Sequence, residues 1–208
     1  MLKLYCFPRS GNSREVKITL AEKGLDYESI NIREHKDIKS DPEFLKASPN
    51  AKVPAIIDGD VYMSNAYEIN LYLNKTHTQN PLLPESEEQK AEISAWVAKY
   101  DKSLCLQIGL LLIETLLKPK DQQKEETKIK LRANIASSMQ ELEQQLSNQE
   151  YFFQNYSLAD ISMTPHLSAL PRVGLSITDE TPNLKLWFER VSARPSFQAS
   201  ASEPAPSS

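Results

Sequence analysis

The stretch from Leu2 to Gly24 constrains the fold more than any other, because it combines a strand, a turn and a helix. Apolar residues alternate at Leu2, Leu4 and Cys6, as they do in a half-buried strand. After a turn, apolar residues recur at helical spacing until Gly24 ends the pattern. The spacing therefore predicts that Ser10 lies where the first helix begins.

The predicted position of Ser10 suggests a chemical role. The start of a helix gathers unpaired backbone N–H groups and a partial positive charge, so an anion such as a thiolate is favoured there. A serine at this position is also a common helix cap, which is the simpler interpretation. Ser13 is predicted to be a surface residue in the first turn of the same helix.

The chain up to residue 76 has the pattern of a small α/β domain. A second strand is predicted around Ile30, and a strand, a helix and a strand in so few residues indicate a right-handed βαβ unit. Two short apolar runs on either side of Asp58-Gly59 predict a hairpin. Asn65 and Glu68 then have the spacing of a helix-capping box. This part is therefore predicted to be βαβ followed by ββα.

The rest of the chain is predicted to be helical, and it begins with one long helix that Pro119 ends. A linker with two prolines at 77–85 separates a first domain, residues 1–76, from an all-helical domain at 86–197. The segment 198–208 is mostly Ser, Ala and Pro, too polar to pack, and is predicted to be a disordered tail.

Composition and charge exclude several classes of protein. A net charge of −4 without a Lys/Arg cluster argues against a nucleic-acid surface. The most apolar segment, Leu104–Leu117, is too short to span a bilayer, and no signal peptide is visible. Cys6 and Cys105 form neither a CxxC pair nor a secreted disulfide framework, so the cytoplasm is the expected compartment. The three histidines have no ligand spacing, and we expect no metal.

Four local patterns follow one another along the chain. They are Leu4-Tyr5 followed by Ser10 and then Ala21-Glu22-Lys23-Gly24; Lys52-Val53-Pro54; Ser157-Leu158-Ala159-Asp160, a capping box; and Trp187 with Ala193-Arg194-Pro195-Ser196-Phe197. In this order they resemble the soluble glutathione transferases. The resemblance implies a fold that is α/β plus all-α, with a thioredoxin-like N-terminal domain and an all-helical C-terminal domain. It also implies a serine-type member, similar to the theta and phi classes of bacteria, that forms a homodimer.

In serine-type members of that family, the residue at the position of Ser10 donates a hydrogen bond to the glutathione sulfur. A free thiol has a pKa of about 8.5, and lowering it by two units requires roughly 2.7 kcal/mol. A hydroxyl donor to a charged acceptor, worth roughly 1.5–3 kcal/mol, together with a helix start supplies that amount. Thioredoxin-like oxidoreductases carry Cys-x-x-Cys at this turn. Here Ser10 and Ser13 replace both cysteines, so any reactive sulfur must belong to the ligand.

The resemblance also predicts how glutathione, the co-substrate, is held. Val53-Pro54 resembles the family's cis-proline turn, where the backbone before the proline pairs with the cysteinyl part of glutathione. Lys52 and Lys39 are candidates for binding the glycyl carboxylate. Each is equally explained as a solvated surface lysine.

The chain departs from the family pattern at Asn65-Ala66, where Glu-Ser is usual. Ala66 lacks the hydroxyl that helps to bind the γ-glutamyl carboxylate. Asn65 carries no charge and is also explained as a helix cap. The loss of one hydrogen bond to a charged group costs about 1.5–3 kcal/mol, or ten- to a hundred-fold in affinity.

The acceptor pocket, which takes the hydrophobic electrophile, is predicted to lie between the domains. Phe7 and Arg9 are candidates for its floor, and Tyr100 and Ser103 for its wall. A run of helical aromatic residues is also typical of a core, so Tyr100 is alternatively explained as a core residue.

The leading hypothesis is a glutathione transferase active in detoxification, without a nucleic-acid or membrane partner. The first alternative is a non-catalytic binding protein of the same fold, similar to stringent starvation protein A. The second is a glutathione-dependent isomerase or dehalogenase, which differs from the transferase only in the acceptor pocket.

Overall fold

The computed structural model describes residues 1–33 and 38–201, with Lys39 described by its backbone alone. These residues form two compact units, of which the first is Met1–Leu83 with the segment that begins at Ala193, and the second is Pro84–Ser192. The helices are α1 Gly11–Glu22, α2 Pro42–Ala47, α3 Ala66–Thr76, α4 Glu87–Tyr100, α5 Leu106–Leu112, α6 Glu125–Gln145, α7 Leu158–Leu167, α8 Pro182–Ser192 and α9 Pro195–Ala201.

The first unit is built on a four-stranded sheet with the order β2-β1-β3-β4. Its strands are β1 Lys3–Cys6, β2 Glu28–Asn31, β3 Ala55–Asp58 and β4 Val61–Ser64. β1 runs parallel to β2, as the βαβ pattern predicted, and antiparallel to β3. β3 and β4 form the predicted hairpin. Between them Gly59 has a φ of 59°, in the left-handed region that glycine adopts without steric cost.

Helices cover both faces of this sheet. On one face, α1 and α3 pack against Leu4 and Ile56. On the other face, Phe44 of α2 stacks on Tyr5, with their ring centroids 4.9 Å apart. Because successive strand residues point to opposite faces, neighbouring Leu4 and Tyr5 serve the two cores.

The last helix, α9, packs on α1 in the first unit. Arg194 donates to the two carboxylate oxygens of Glu22 over 2.7 and 2.9 Å. The guanidinium of Arg14 lies 4.5 Å from the ring centroid of Phe197. These contacts join the end of the chain to the helix that begins at Ser10.

The prediction of a disordered tail is wrong for residues 198–201, which belong to α9. Their composition is polar, and it gives no sign of the contact with a distant residue that holds them in a helix. Ser200 is 4% exposed, and its hydroxyl accepts from the guanidinium of Arg14 over 3.3 Å. A short polar helix is therefore held by a side chain that lies 186 residues earlier in the sequence.

The second unit contains α4 to α8. The sequence predicted one long helix that ends before Pro119. The structure has α4 and α5 separated by a π-helical turn at Asp101–Cys105, and a second π-helical turn follows at Ile113–Leu117. The predicted end is confirmed, because Lys118 has an extended backbone.

The predicted capping box at the start of α7 lies in the interior of the second unit and is confirmed. Asp160 accepts from the Ser157 N–H over 2.9 Å and from the indole N–H of Trp187 over 2.8 Å. It also accepts from the Phe152 N–H over 3.2 Å. Complete burial raises the pKa of Asp160 to about 6, although these donors favour the charged form.

We expect Asp160 to make stability depend on pH. Its pKa is about 6 in the folded protein and about 3.9 in an unfolded chain, so the folded state holds the proton more tightly between these values. The contribution of Asp160 to the free energy of unfolding therefore falls as the pH rises from about 4 to about 6, by about 3 kcal/mol.

The matched control is Asp160→Asn, which does not titrate. Urea unfolding gives the free energy of unfolding of both proteins. The value for the wild type minus that for the variant should be larger at about pH 4 than at about pH 7. Equal differences at the two pH values would contradict the raised pKa.

Candidate functional site

Ser10 caps α1 at the turn that follows β1. Its backbone is extended, with φ −84° and ψ 121°, and its hydroxyl oxygen accepts from the Ser13 N–H over 3.3 Å. The Ser10 N–H donates to the carbonyl of Phe7 over 2.9 Å, which closes the turn. Ser10 is half-buried.

Ser13 lies inside this turn, and the prediction of a surface residue is wrong. The residue is fully buried, and its hydroxyl accepts from the Phe7 N–H over 3.3 Å. The side chain turns inward because it bonds back to the end of the preceding strand. Ser13 therefore holds the turn, whereas Ser10 faces outward.

The start of α1 favours negative charge. No residue of its first turn is acidic, so the partial positive charge of the helix start is not neutralised within the helix. Arg9, next to Ser10, is exposed. The guanidinium of Arg33 lies 4.2 Å from the ring centroid of Phe7. Sequence reasoning missed Arg33, whose only signal was a basic residue just after the second predicted strand.

Three of the predicted binding segments meet at one end of the sheet. β1 ends shortly before Ser10. β3 runs antiparallel to β1 and begins at this same end, directly after Val53-Pro54. β4 runs antiparallel to β3, ends there, and is followed by Asn65-Ala66. We call Ser10, Val53-Pro54 and Asn65-Ala66 the sheet-end site.

The Val53-Pro54 peptide bond is cis, as predicted. Just before it, the Lys52 N–H donates to the hydroxyl of Ser48 over 2.9 Å, and Lys52 is exposed. The side chain of Lys39 lies outside the described residues. The roles of both lysines toward a carboxylate stay predictions.

Asn65 is a helix cap, as its spacing predicted. Its side-chain oxygen accepts from the N–H groups of Tyr67 and Glu68 over 3.0 and 3.2 Å. Its φ of 84° lies in the left-handed region, where asparagine is enriched among non-glycine residues. Ala66, the first residue of α3, is 5% exposed and has no hydroxyl. The side-chain oxygen at this helix start is therefore already engaged by the backbone.

The residues predicted for the acceptor pocket fall into two groups. Phe7 and Arg9 belong to the first unit. Tyr100 belongs to the second unit and is 3% exposed, with its hydroxyl 3.4 Å from a carboxylate oxygen of Glu141. Ser103 donates its hydroxyl to a backbone carbonyl of the preceding helical turn. The burial of Tyr100 favours a core residue, and the pocket as a whole stays a prediction.

The described residues contain neither a metal-binding cluster nor a membrane-spanning helix. Within residues 1–33 and 38–201, no group of three or more His, Cys, Asp or Glu side chains is placed to hold a metal ion. None of the helices in these ranges is both long and apolar enough to cross a membrane. Cys6 and Cys105 are buried and form no disulfide.

Both halves of the chain match glutathione S-transferase families. Residues 4–81 match the family "Glutathione S-transferase, N-terminal domain", and residues 107–195 match "Glutathione S-transferase, C-terminal domain". A zeta class glutathione S-transferase from Euphorbia esula is 31% identical over 211 residues, which cover 100% of this chain and 92% of that protein. Glutathione S-transferase Z2 from Arabidopsis thaliana is 41% identical over 90 residues, which cover 43% of this chain and only 40% of that protein.

Solved structures agree with this match. A glutathione transferase from Burkholderia graminis with two glutathione molecules bound per subunit has a TM-score of 0.84 at 25% identity, and the match covers 99% of this chain and 89% of that one. Ure2p in complex with S-hexylglutathione has a TM-score of 0.86 at 20% identity, covering 97% and 98%, and shows the likeness of fold alone. The thioredoxin-like N-terminal domain and the all-helical C-terminal domain are thereby confirmed. The chain belongs to the glutathione S-transferase family.

Proposed function

We propose that the protein is a glutathione transferase, which joins the thiolate of glutathione to an electrophilic carbon of a small hydrophobic molecule. Family membership supports this proposal, because a relative that matches the whole chain is named a zeta class glutathione S-transferase. By the same resemblance, we expect a cytoplasmic homodimer that acts in detoxification. Glutathione is the co-substrate, and the reaction needs no metal.

The observation that carries the proposal is the hydrogen bonding of Ser10. Its oxygen accepts from the Ser13 N–H, so the oxygen is directed at the helix and the hydroxyl proton remains for a ligand. A thiolate beside Ser10 would accept this proton in a charge-assisted hydrogen bond. The serine forms no covalent bond in this mechanism, because the attacking atom is the sulfur of glutathione.

The magnitudes are sufficient for a thiolate at neutral pH. A free thiol has a pKa of about 8.5, and a shift of two units corresponds to roughly 2.7 kcal/mol. A hydrogen bond to a charged acceptor is worth roughly 1.5–3 kcal/mol. The start of α1, with no acidic residue in its first turn, adds roughly 0.3–1 kcal/mol. Together the two effects account for the required shift.

The remainder of the sheet-end site would hold the rest of glutathione. The backbone of Val53, before the cis-proline, is proposed to pair with the cysteinyl part, and Lys52 with Lys39 to face the glycyl carboxylate. The N–H groups at the start of α3 are proposed to receive the γ-glutamyl carboxylate, because a helix start favours anions. Ala66 offers only its backbone for this purpose.

The electrophile is proposed to bind beside Ser10, where Phe7 and Arg9 belong to the same turn. Ser103 stays a predicted residue of the acceptor pocket, whereas the burial of Tyr100 disfavours Tyr100. An isomerase or a dehalogenase that uses glutathione would require the same thiolate and differ only in this pocket.

Two substitutions separate the capping role of Ser10 from its role as a donor. Ser10→Ala removes both, and we expect kcat/KM for a general aryl halide to fall about ten- to a hundred-fold. Ser10→Asp keeps an acceptor for the Ser13 N–H but has no proton to donate at neutral pH. We therefore expect Ser10→Asp to lose activity at least as far as Ser10→Ala while retaining more stability.

The control is Ser192→Ala, which removes an exposed hydroxyl bonded to the Glu189 carbonyl and should leave conjugation unchanged. If both Ser10 variants conjugate at the wild-type rate, Ser10 is a helix cap and not the partner of the thiolate.

A second candidate function, a non-catalytic binding protein of this fold, is favoured by one observation. Asn65 is engaged in capping α3 through two hydrogen bonds, and Ala66 provides no hydroxyl. The γ-glutamyl end of glutathione therefore has fewer partners than the family pattern provides. A wild-type chain that is not retained at all on immobilised glutathione would support this function over the enzyme.

Ala66→Ser tests whether the missing hydroxyl at the start of α3 weakens the binding of glutathione. The new hydroxyl restores one hydrogen bond to a charged carboxylate, so we expect the Kd for glutathione to fall about tenfold. Isothermal titration calorimetry gives the value, with Ala21→Ser at an exposed position of α1 as the control that should change nothing. An unchanged or higher Kd for Ala66→Ser would mean that glutathione does not bind at the start of α3.

A further inference from the structure

α1 and α3 lie side by side and run in the same direction. β1 and β4 run in the same direction because each is antiparallel to β3. α1 follows β1, α3 follows β4, and the two helices pack on the same face of the sheet. The starts of both helices are therefore at the sheet-end site.

One hydrogen bond sets the register between these helices. The ammonium of Lys23, directly after α1, donates to the side-chain oxygen of Asn74 on α3 over 2.8 Å. Because the helices are parallel, we infer that the residues one turn earlier on each also face each other. Those residues are Thr19 and Asn70.

Thr19 and Asn70 are each 0% exposed, and their polar atoms are unsatisfied. Among the residues that the structure describes, no hydrogen-bond partner is found for the Thr19 hydroxyl or for either the nitrogen or the oxygen of the Asn70 side chain. Folded proteins avoid this arrangement, since a buried polar group without a partner has lost its bonds to water. Two unsatisfied groups that face each other indicate a third group between them.

The chemistry of these atoms restricts what that group is. The amide nitrogen of Asn70 donates only, so its partner must accept, whereas the amide oxygen accepts only, so its partner must donate. A metal cation cannot accept from the nitrogen, and a chloride ion cannot donate to the oxygen. Water does both, and a buried water commonly makes about three hydrogen bonds.

We propose that a water molecule is bound between α1 and α3, held by the hydroxyl of Thr19 and by the amide of Asn70. It would donate to the Asn70 oxygen, accept from the Asn70 nitrogen, and exchange its remaining bond with the Thr19 hydroxyl. This water is a structural component one turn from the Lys23–Asn74 contact. It links the two helices whose starts lie at the sheet-end site.

A crystal structure of the whole protein at high resolution tests the site directly. We expect an ordered water within hydrogen-bond distance of the Thr19 hydroxyl and of both side-chain atoms of Asn70, present also in crystals grown without glutathione. A dry contact, or a direct bond from Asn70 to another protein group, would overturn the proposal. This outcome is independent of the proposed transferase activity.

Stability measurements give a second test, using the near-isosteric replacements Thr19→Val and Asn70→Leu. If water is bound, each single replacement leaves it short of partners, and we expect the unfolding equilibrium constant to rise about tenfold. In the double variant the water has no remaining partner of this pair, so the combined effect should be clearly smaller than the product of the single effects.

The control pairs Asn70→Leu with Thr164→Val. The Thr164 hydroxyl is buried and already donates to the Asp160 carbonyl, and Thr164 belongs to the second unit, so its effect should multiply with that of Asn70→Leu. Should Thr19→Val and Asn70→Leu each stabilise the protein, the polar atoms are dry and unsatisfied in the native state, and the proposal is wrong.

Discussion

The hydrogen bond from the Ser13 N–H to the Ser10 hydroxyl fixes the point at which β1 becomes α1, and the first unit depends on that point. It starts a helix whose sides pack against the sheet, α3 and α9. The same bond orients the hydroxyl of half-buried Ser10 at the sheet-end site. Fold and proposed chemistry therefore rest on a single N-cap.

The other end of α1 shows how charged side chains are accommodated where a helix is largely buried. Burial alone would raise the pKa of Glu22, but the hydrogen bonds from Arg194 and Ser196 outweigh it and lower the pKa. Next to it, burial lowers the pKa of Lys23, whose ammonium donates to Asn74 and to two backbone carbonyls after α3. Glu22 and Lys23, at the C-terminal end of α1, therefore each form hydrogen bonds with residues from later in the chain.

The fold was largely predictable because its signals are local. The alternation in β1, the Asp58-Gly59 turn and the capping box at Asp160 each depend on residues close in sequence. The ordered α9, the inward Ser13 and the unsatisfied Asn70 were not predictable, because each depends on a partner, or the lack of one, across a packed interface. At the site, the sequence indicated the position of Ser10 and the capping role of Asn65, and the family resemblance implied the cis bond before Pro54. The ring contact of Arg33 required the structure.

The proposed chemistry requires that Ser10 and the start of α1 stabilise the thiolate of bound glutathione. The direct measurement is a pH titration of the ultraviolet absorbance of the thiolate, recorded on glutathione bound to the wild-type protein. We expect a thiol pKa about two units below the value of about 8.5 for a free thiol, and a return toward that value in Ser10→Ala. A bound thiol that titrates like free glutathione would contradict it.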